Sequence, residues 1–341
     1  MRDFLLRPIC EAGGAGDGMP LAGGPIRFHK VETLGMMRES RKLPLKSVAP
    51  DALRAFAAPR GGVAGVATDR PRIMAVLNVT PDSFSDGRPA ETVAEAVARG
   101  LALVEAGADF LDVGGESTRP GADPIAPEEE RARVLPVIEG LVAAGLGAPI
   151  SIDTRNAGTA RAAMAAGARI WNDVSALTYD PDSLKTAAAL DCPVVLMHAQ
   201  GDPKTMQDAP SYRNVLIEVY AWLEARIAAV VAGGVSPDRI IVDPGFGFGK
   251  TGAHNLQLFA GLAALHGLGR PVMVGASRKR FIGALTGVKE PARRIAGSVG
   301  AALAAAGQGV QILRVHDVAE TRAALTVWAA AHGFEIAEAL V

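Results

Sequence analysis

The sequence predicts an α/β fold, a (β/α)8 TIM barrel preceded by an irregular N-terminal extension. Three observations carry this reading. From residue 73 onward, short apolar runs rich in Val and Ile alternate with longer Ala-rich segments of helical period. Eight such pairs follow one another, over a length close to the roughly 250 residues this barrel takes. Nearly every apolar run ends in a residue that is expensive to bury without a partner.

The runs are 73–79, 110–114, 149–153, 170–174, 194–198, 240–244, 272–276 and 311–315. Helices are expected near 91–106, 127–145, 156–166, 181–190, 211–232, 254–266, 291–306 and 317–332. A doubly wound open sheet is the alternative. Its Gly-x-Gly-x-x-Gly fingerprint is missing after the first run, which leads into Thr80-Pro81-Asp82-Ser83-Phe84 instead. Residues 71–341 are therefore assigned to the barrel and 1–70 to the extension. Within the extension, 13–25 is rich in glycine and proline, 38–46 is basic, and only 51–56 has the makings of a short helix. Partial order is expected there.

Composition narrows the function. The chain is 49% hydrophobic and 21% charged, with a formal net charge of −1, so nothing overall favours nucleic acid or an anionic membrane. The opening residues are interrupted by Arg7 and Pro8 and do not read as a signal peptide. No run of about 18 uncharged apolar residues is present, so no membrane span is expected. The two cysteines, Cys10 and Cys192, have no metal or redox spacing; Cys192 is expected in the core, and a cytoplasmic location fits.

In a TIM barrel the working groups stand at the C-terminal ends of the strands. Here those ends carry Asn78, Asp112, Asp153, Asn172 with Asp173, His198, Asp243, then Ser277-Arg278-Lys279, and Arg314 with His316 and Asp317. Some of these types also cap helices, and Thr154 and Asp317 suit that role equally well. Capping does not account for Asp243, which Pro244, Gly245 and Gly247 follow, nor for the cations. Arg278, Lys279, Arg314 and His316 make a site for a multiply charged anion such as a phosphate or pyrophosphate. Asp153, Asn172 and Asp243 suit a flat heterocycle with adjacent N–H donors. His198 is equally suited to a ligand contact or a structural hydrogen bond. His254, His266 and His332 are expected at the surface. The run 245–250 lacks the spacing of a phosphate-binding P-loop.

These strings resemble the dihydropteroate synthase family across nearly all of 72–332. The matching motifs are Asn78-Val79-Thr80-Pro81-Asp82-Ser83-Phe84, Asp112-Val113-Gly114-Gly115-Glu116-Ser117-Thr118-Arg119-Pro120, Ser151-Ile152-Asp153-Thr154, Asn172-Asp173-Val174-Ser175, Asp243-Pro244-Gly245-Phe246-Gly247-Phe248-Gly249-Lys250, Ser277-Arg278-Lys279 and Arg314-Val315-His316-Asp317. The resemblance implies condensation of 6-hydroxymethyl-7,8-dihydropterin pyrophosphate with p-aminobenzoate, giving 7,8-dihydropteroate and pyrophosphate, with sulfonamides competing for the p-aminobenzoate site. It implies pterin contacts from Asp153, Asn172, Met197, Asp243 and Lys279. It implies pyrophosphate contacts from Asn78, Arg314 and His316, with Mg2+ as cofactor touching Asn78. It implies a p-aminobenzoate pocket of Phe84, Thr118, Pro120, Phe248 and Arg280. Asp153, Lys279, Asp82 and Arg119 are the expected catalytic residues, the last two on loops that close over the pterin.

Two positions depart from the family pattern. Arg88 and Pro89 stand where a second glycine is common, which should stiffen the first loop. Arg280 stands where many members carry a serine that contacts the p-aminobenzoate carboxylate, so its backbone N–H or its guanidinium takes that role. The rival readings are a methyltetrahydrofolate:corrinoid methyltransferase, which needs no pyrophosphate clamp, and a catalytically inactive pterin-binding paralogue. A homodimer through a late helix, 291–306 or 317–332, is also expected.

Overall fold

The structure is a computed structural model and describes residues 4–11, 18–35, 40–79, 91–116, 124–201 and 205–334. Among the described residues there are twelve strands, numbered in chain order. The extension holds β1 (Phe4–Glu11), β2 (Met19–Pro20), β3 (Arg27–Gly35) and β4 (Arg41–Pro44). The barrel holds β5 (Arg72–Asn78), β6 (Phe110–Gly114), β7 (Ile150–Asp153), β8 (Ile170–Asp173), β9 (Val194–Met197), β10 (Ile240–Asp243), β11 (Met273–Val274) and β12 (Ile312–Val315). All eight expected barrel runs are strands.

The eight are parallel, in the order β10-β9-β8-β7-β6-β5-β12-β11. The barrel closes between β10 and β11, where Val242 bridges Val272 and its N–H donates to the Pro271 carbonyl at 3.0 Å. Helices cover the outer face, as parallel sheets require. They are α2 (Val93–Glu105), α3 (Pro127–Ala143), α4 (Ala157–Ala166), α5 (Ser183–Leu190), α6 (Val215–Ala232), α7 (Gly252–Ala260), α8 (Arg280–Thr286), α9 (Ile295–Ala306) and α10 (Val318–Ala331), with α1 (Pro50–Ala57) in the extension. Local chemistry sets several starts. Thr92 and Glu95 form a capping box on α2, and the Asn214 side chain accepts from Ile217 N to open α6. The latter bond explains why α6 begins four residues later than expected.

Two expected helices are divided. The segment 254–266 becomes α7 and a separate 3-10 helix, Leu262–Leu268, with Gly261 between them. There the chain passes the Leu216 side chain so closely that a Cβ would stand 2.2 Å from it. The segment 291–306 becomes a short 3-10 turn and then α9. The short helix α8 lies outside the expected helices.

In the extension, short strands alternate with irregular stretches. β1 and β3 pair antiparallel, with a register shift between Pro8 and Cys10, where proline's missing N–H is tolerated. Its small core gathers Leu21, Ile26, Phe28, Val31, Val48 and Phe56 against Ala263 of the barrel. Phe28 and Phe56 meet edge to face at 6.2 Å. Just before β5, Val63 and Val66 exchange hydrogen bonds across Ala64 and Gly65, both with positive φ, as a two-residue type I′ turn demands. Val63 packs into the lower lumen of the barrel and plugs its N-terminal end. Cys192 is buried, as expected. His266 is buried too, against expectation; it sits in the 3-10 helix with Nε2 3.0 Å from the Gln308 carbonyl.

Candidate active site

Side chains alternate across a strand with a period of two, so one set lines the barrel lumen. The lower layer is apolar: Met74, Phe110, Ile170, Val195, Ile241, Met273 and Ile312 form one buried cluster. Two residues further along those strands come Val76, Asp112, Asn172, Met197, Asp243, Gly275 and Arg314. The lumen therefore changes from apolar to charged within one step of the pleat. Asn78, Gly114, Asp153 and Asn172 pair side by side across β5, β6, β7 and β8. A Cβ added to Gly114 would stand 3.5 Å from both Asn78 Oδ1 and Asp153 Cβ. One added to Gly275 would stand 3.9 Å from Asp243 Oδ2 and from Arg314 Cδ. These two glycines leave the space between the polar groups open.

Arg314 ties the layer together. Its Nε donates to Asp112 Oδ2 at 2.6 Å and its Nη2 to Asp153 Oδ2 at 2.7 Å. Asn172 Nδ2 donates to the same Asp112 oxygen at 3.1 Å. The remaining oxygens, Asp112 Oδ1 and Asp153 Oδ1, are buried and have no hydrogen-bond partner among the described residues. A buried acceptor in that state costs about 1–3 kcal/mol until a donor arrives. Asp243 is buried as well; its Oδ1 accepts the Gly245 N–H at 2.7 Å.

One guanidinium neutralises only one carboxylate charge, and the setting is dry. Burial pushes Asp153 up to about 7; Arg314 opposes this, while Asp112, Glu130 and Asp173 add to it. Asp243 is raised by burial too, against the Gly245 N–H and the charges of Lys279 and Arg314. Burial alone would lower Arg314, but the Asp112 and Asp153 charges outweigh it and hold the guanidinium firmly protonated.

The other predicted residues stand at the rim. The Lys279 ammonium lies 4.2 Å from the centre of the Phe248 ring. His316 is placed by Ser277, whose Oγ lies 3.1 Å from its Nδ1 and accepts its backbone N–H at 3.3 Å. Met197 pairs with Asp243 in register. A cavity of about 300 Å3 adjoins Met197 and Phe248 and is walled further by Val174, Tyr179, Met206 and Trp222. Arg280 is exposed at the first position of α8, next to Lys279. Asp82, Phe84, Thr118, Arg119 and Pro120, with the Arg88-Pro89 departure, lie outside the described residues.

Arg278 serves structure rather than the anion expected of it, and other strand-end residues make local bonds. Arg278, at φ 60°, grips Asp317 with both Nε and Nη2, so it is not part of a free cationic cluster. Asp317 in turn makes no side-chain cap on α10. Asp173 accepts from Ser175 N and Oγ and from Leu177 N. Thr154 does act locally, with Oγ1 accepting Asn156 N at 3.1 Å. Asp112, a strand-end carboxylate to which the motifs assign no contact, is the hub that joins Arg314 and Asn172. Its position two residues after Phe110 was the available signal.

Fold and site together define a barrel enzyme of the pterin-binding class, and the family model described as "Pterin binding enzyme" matches residues 74–316. The chain is 48% identical over 270 residues to the dihydropteroate synthase of Neisseria meningitidis serogroup B, covering 78% of this chain and 94% of that protein. The structure of Xanthomonas albilineans dihydropteroate synthase with 4-aminobenzoic acid superposes with a TM-score of 0.74 at 53% identity, covering 79% of this chain and 96% of that one. The same enzyme in complex with 7,8-dihydropteroate gives 0.73 at 50% identity, covering 81% and 100%. The chain belongs to the dihydropteroate synthase family. Among its described residues, no helix is long and apolar enough to cross a membrane.

Proposed function

We propose that the protein joins 6-hydroxymethyl-7,8-dihydropterin pyrophosphate to p-aminobenzoate, releasing pyrophosphate and forming the 7,8-dihydropteroate needed for folate biosynthesis. The observation that carries this is the pair of acceptors, Asp112 Oδ1 and Asp153 Oδ1, buried beside one guanidinium without a partner among the described residues. A flat ring with several N–H donors is the ligand that satisfies them. The 4-aminobenzoic acid and 7,8-dihydropteroate bound by the Xanthomonas enzyme are the matching substrate and product.

In this reading Asp243 and Asn172 hold the pterin N–H edge, Asp153 the other ring nitrogens, Met197 packs on the ring, and Lys279 meets its carbonyl. Arg314, His316 and Asn78 take the pyrophosphate. Two nitrogens of Arg314 are occupied by carboxylates, while Nη1 has no partner among the described residues and remains for a phosphate oxygen. Phe248, Lys279 and Arg280 border the p-aminobenzoate, completed by Phe84, Thr118 and Pro120. Asp82 and Arg119 act from the closing loops.

The donor set fits Mg2+. Among the described residues no cluster of three or more His, Cys, Asp and Glu could hold a metal. The Asn78 amide oxygen at the rim suits an ion that draws most of its ligands from phosphate and water. When bound, that ion would help neutralise the leaving pyrophosphate.

The carbon–oxygen bond breaks with its electron pair leaving on pyrophosphate. The methylene cation that remains is delocalised into the ring, and ionised Asp153 stabilises it. The p-aminobenzoate amine attacks this carbon and then loses a proton. The displacement is SN1-like and needs no protein nucleophile. Positional isotope exchange in the pterin pyrophosphate tests the order of events; strict dependence of all bond cleavage on p-aminobenzoate, with no exchange, overturns it.

Pyrophosphate release with and without p-aminobenzoate, repeated with a sulfonamide, tests the activity itself. Release should require p-aminobenzoate and fall with the sulfonamide; release indifferent to both counts against the proposal. Asp243→Ala should abolish pterin binding by calorimetry, and unchanged binding removes Asp243 from the site. A homodimer through the late helices is part of the same proposal. Val327 on α10 and Leu285 on α8 are the most exposed large hydrophobic side chains among the described residues, at 70% and 62%.

A further inference from the structure

Lys250, in the β10–α7 connection, is only 2% exposed, and the proposed reaction gives it no role. Its Nζ lies 2.9 Å from the Gly245 carbonyl, 3.0 Å from the Phe248 carbonyl and 2.9 Å from His198 Nδ1, with the His198 carbonyl at 3.3 Å. An ammonium has three N–H donors, and three short acceptors meet it. The reach depends on two glycines. A Cβ on Gly245 would stand 1.9 Å from the His198 carbonyl oxygen, and one on Gly249 2.3 Å from that of Gln200. Both have positive φ, so glycine serves conformation as well as space. The loop thus lies directly on the end of β9.

His198 completes the arrangement as a neutral acceptor. Its ring is buried edge-on to Trp222 at 5.0 Å, and burial with the Lys250 charge lowers its pKa to about 3. Nδ1 is then free to accept and Nε2 carries the proton. Burial also pulls Lys250 down to about 7, against Asp243. The acceptor count nevertheless favours the ammonium, because a neutral amine has only two N–H groups for three short contacts.

We infer that Lys250 is the positioning residue of the arylamine subsite: it gathers the Gly245 and Phe248 carbonyls and the His198 ring into one buried knot, and so sets the Phe248 ring against Lys279. It touches no substrate. The inference rests on the proposed roles of Phe248 and Lys279, and it makes the p-aminobenzoate wall depend on a side chain behind it.

The test is Lys250→Met, which keeps the chain length and removes every donor. The KM for p-aminobenzoate and the sulfonamide inhibition constant should rise together by about tenfold, the loss of one charged hydrogen bond's effect. The affinity for pterin pyrophosphate, measured by calorimetry without p-aminobenzoate, should stay within about twofold. A p-aminobenzoate KM within that margin, or an equal loss of pterin affinity, overturns the inference. If Lys250→Met does not fold, His198→Gln carries the same criterion at about threefold, since it removes only the imidazole acceptor. The wild-type arm is separate: wild type without p-aminobenzoate-dependent turnover refutes the proposed function. In that event faster amide exchange confined to the 245–250 loop of the variant upholds the positioning role, and unchanged exchange refutes it.

Discussion

At the scale of single residues, Arg314 between two carboxylates is the feature with the widest consequences. It lets two acidic side chains stand in a dry lumen, yet it leaves Asp153 with a pKa of about 7 because burial outweighs the pairing. Ionised, Asp153 accepts from pterin N–H groups with both oxygens and more strongly than the protonated carboxyl. Pterin affinity should therefore rise with pH through about 7, and Asp153→Asn should weaken binding and flatten that rise between about pH 6 and pH 8. Calorimetry across that range checks it; a slope that survives in Asp153→Asn assigns the titration elsewhere. The same shift acts on stability with a definite sign. Between about pH 4 and pH 7 the folded protein keeps a proton that the unfolded chain has lost, so the contribution of Asp153 to stability falls as pH rises through that window. Most of the residues at the lumen were legible as polar ends of apolar runs. Asp112 and Lys250 were not assigned, because what distinguishes them is who they touch: a guanidinium 202 positions away for Asp112, and a histidine 52 positions away for Lys250.

At the scale of elements, the barrel strands and helices announce themselves because each is buried on a fixed periodicity that local composition repeats. The short helix α8 has too few turns to show one, and the break at Gly261 is imposed by the Leu216 side chain rather than by local propensity. The extension is harder still to read. β1 pairs with β3 across a stretch rich in glycine and proline, and its pattern is interrupted by Pro8 and the register shift beside it. Phe28 is nonetheless fully buried at the centre of that small core. Phe28→Ala should cost about 3–5 kcal/mol in chemical denaturation. The folded variant should retain turnover, because the plug formed by Val63 and Val66 marks the extension's side of the barrel as the end opposite the site. Unchanged stability would mean that the extension's core does not take part in the cooperative fold.

At the scale of the whole molecule, the described surface leaves Val327 exposed on α10 and Leu285 exposed on α8, two late helices of the barrel. If they meet a second copy, wild type should sediment as a dimer and Val327→Glu should shift it toward monomer, since a charge buried without a partner opposes association. A monomeric wild type at micromolar concentration removes the dimer. A net charge of −1 supplies no strong electrostatic drive for such an association and leaves substrate capture to the local cations at the rim.

The order of strands and helices, the polar strand ends and the family motifs were all determined by the sequence itself, because each is encoded within a few residues by periodicity or by residue type. The closure of β10 on β11, the diversion of Arg278 to Asp317, the sharing of Arg314 by Asp112 and Asp153, and the lysine knot behind Phe248 were decided only by tertiary structure. Each joins residues distant along the chain, and which cation meets which carboxylate is settled by geometry across strands, where composition alone leaves several partners equally possible.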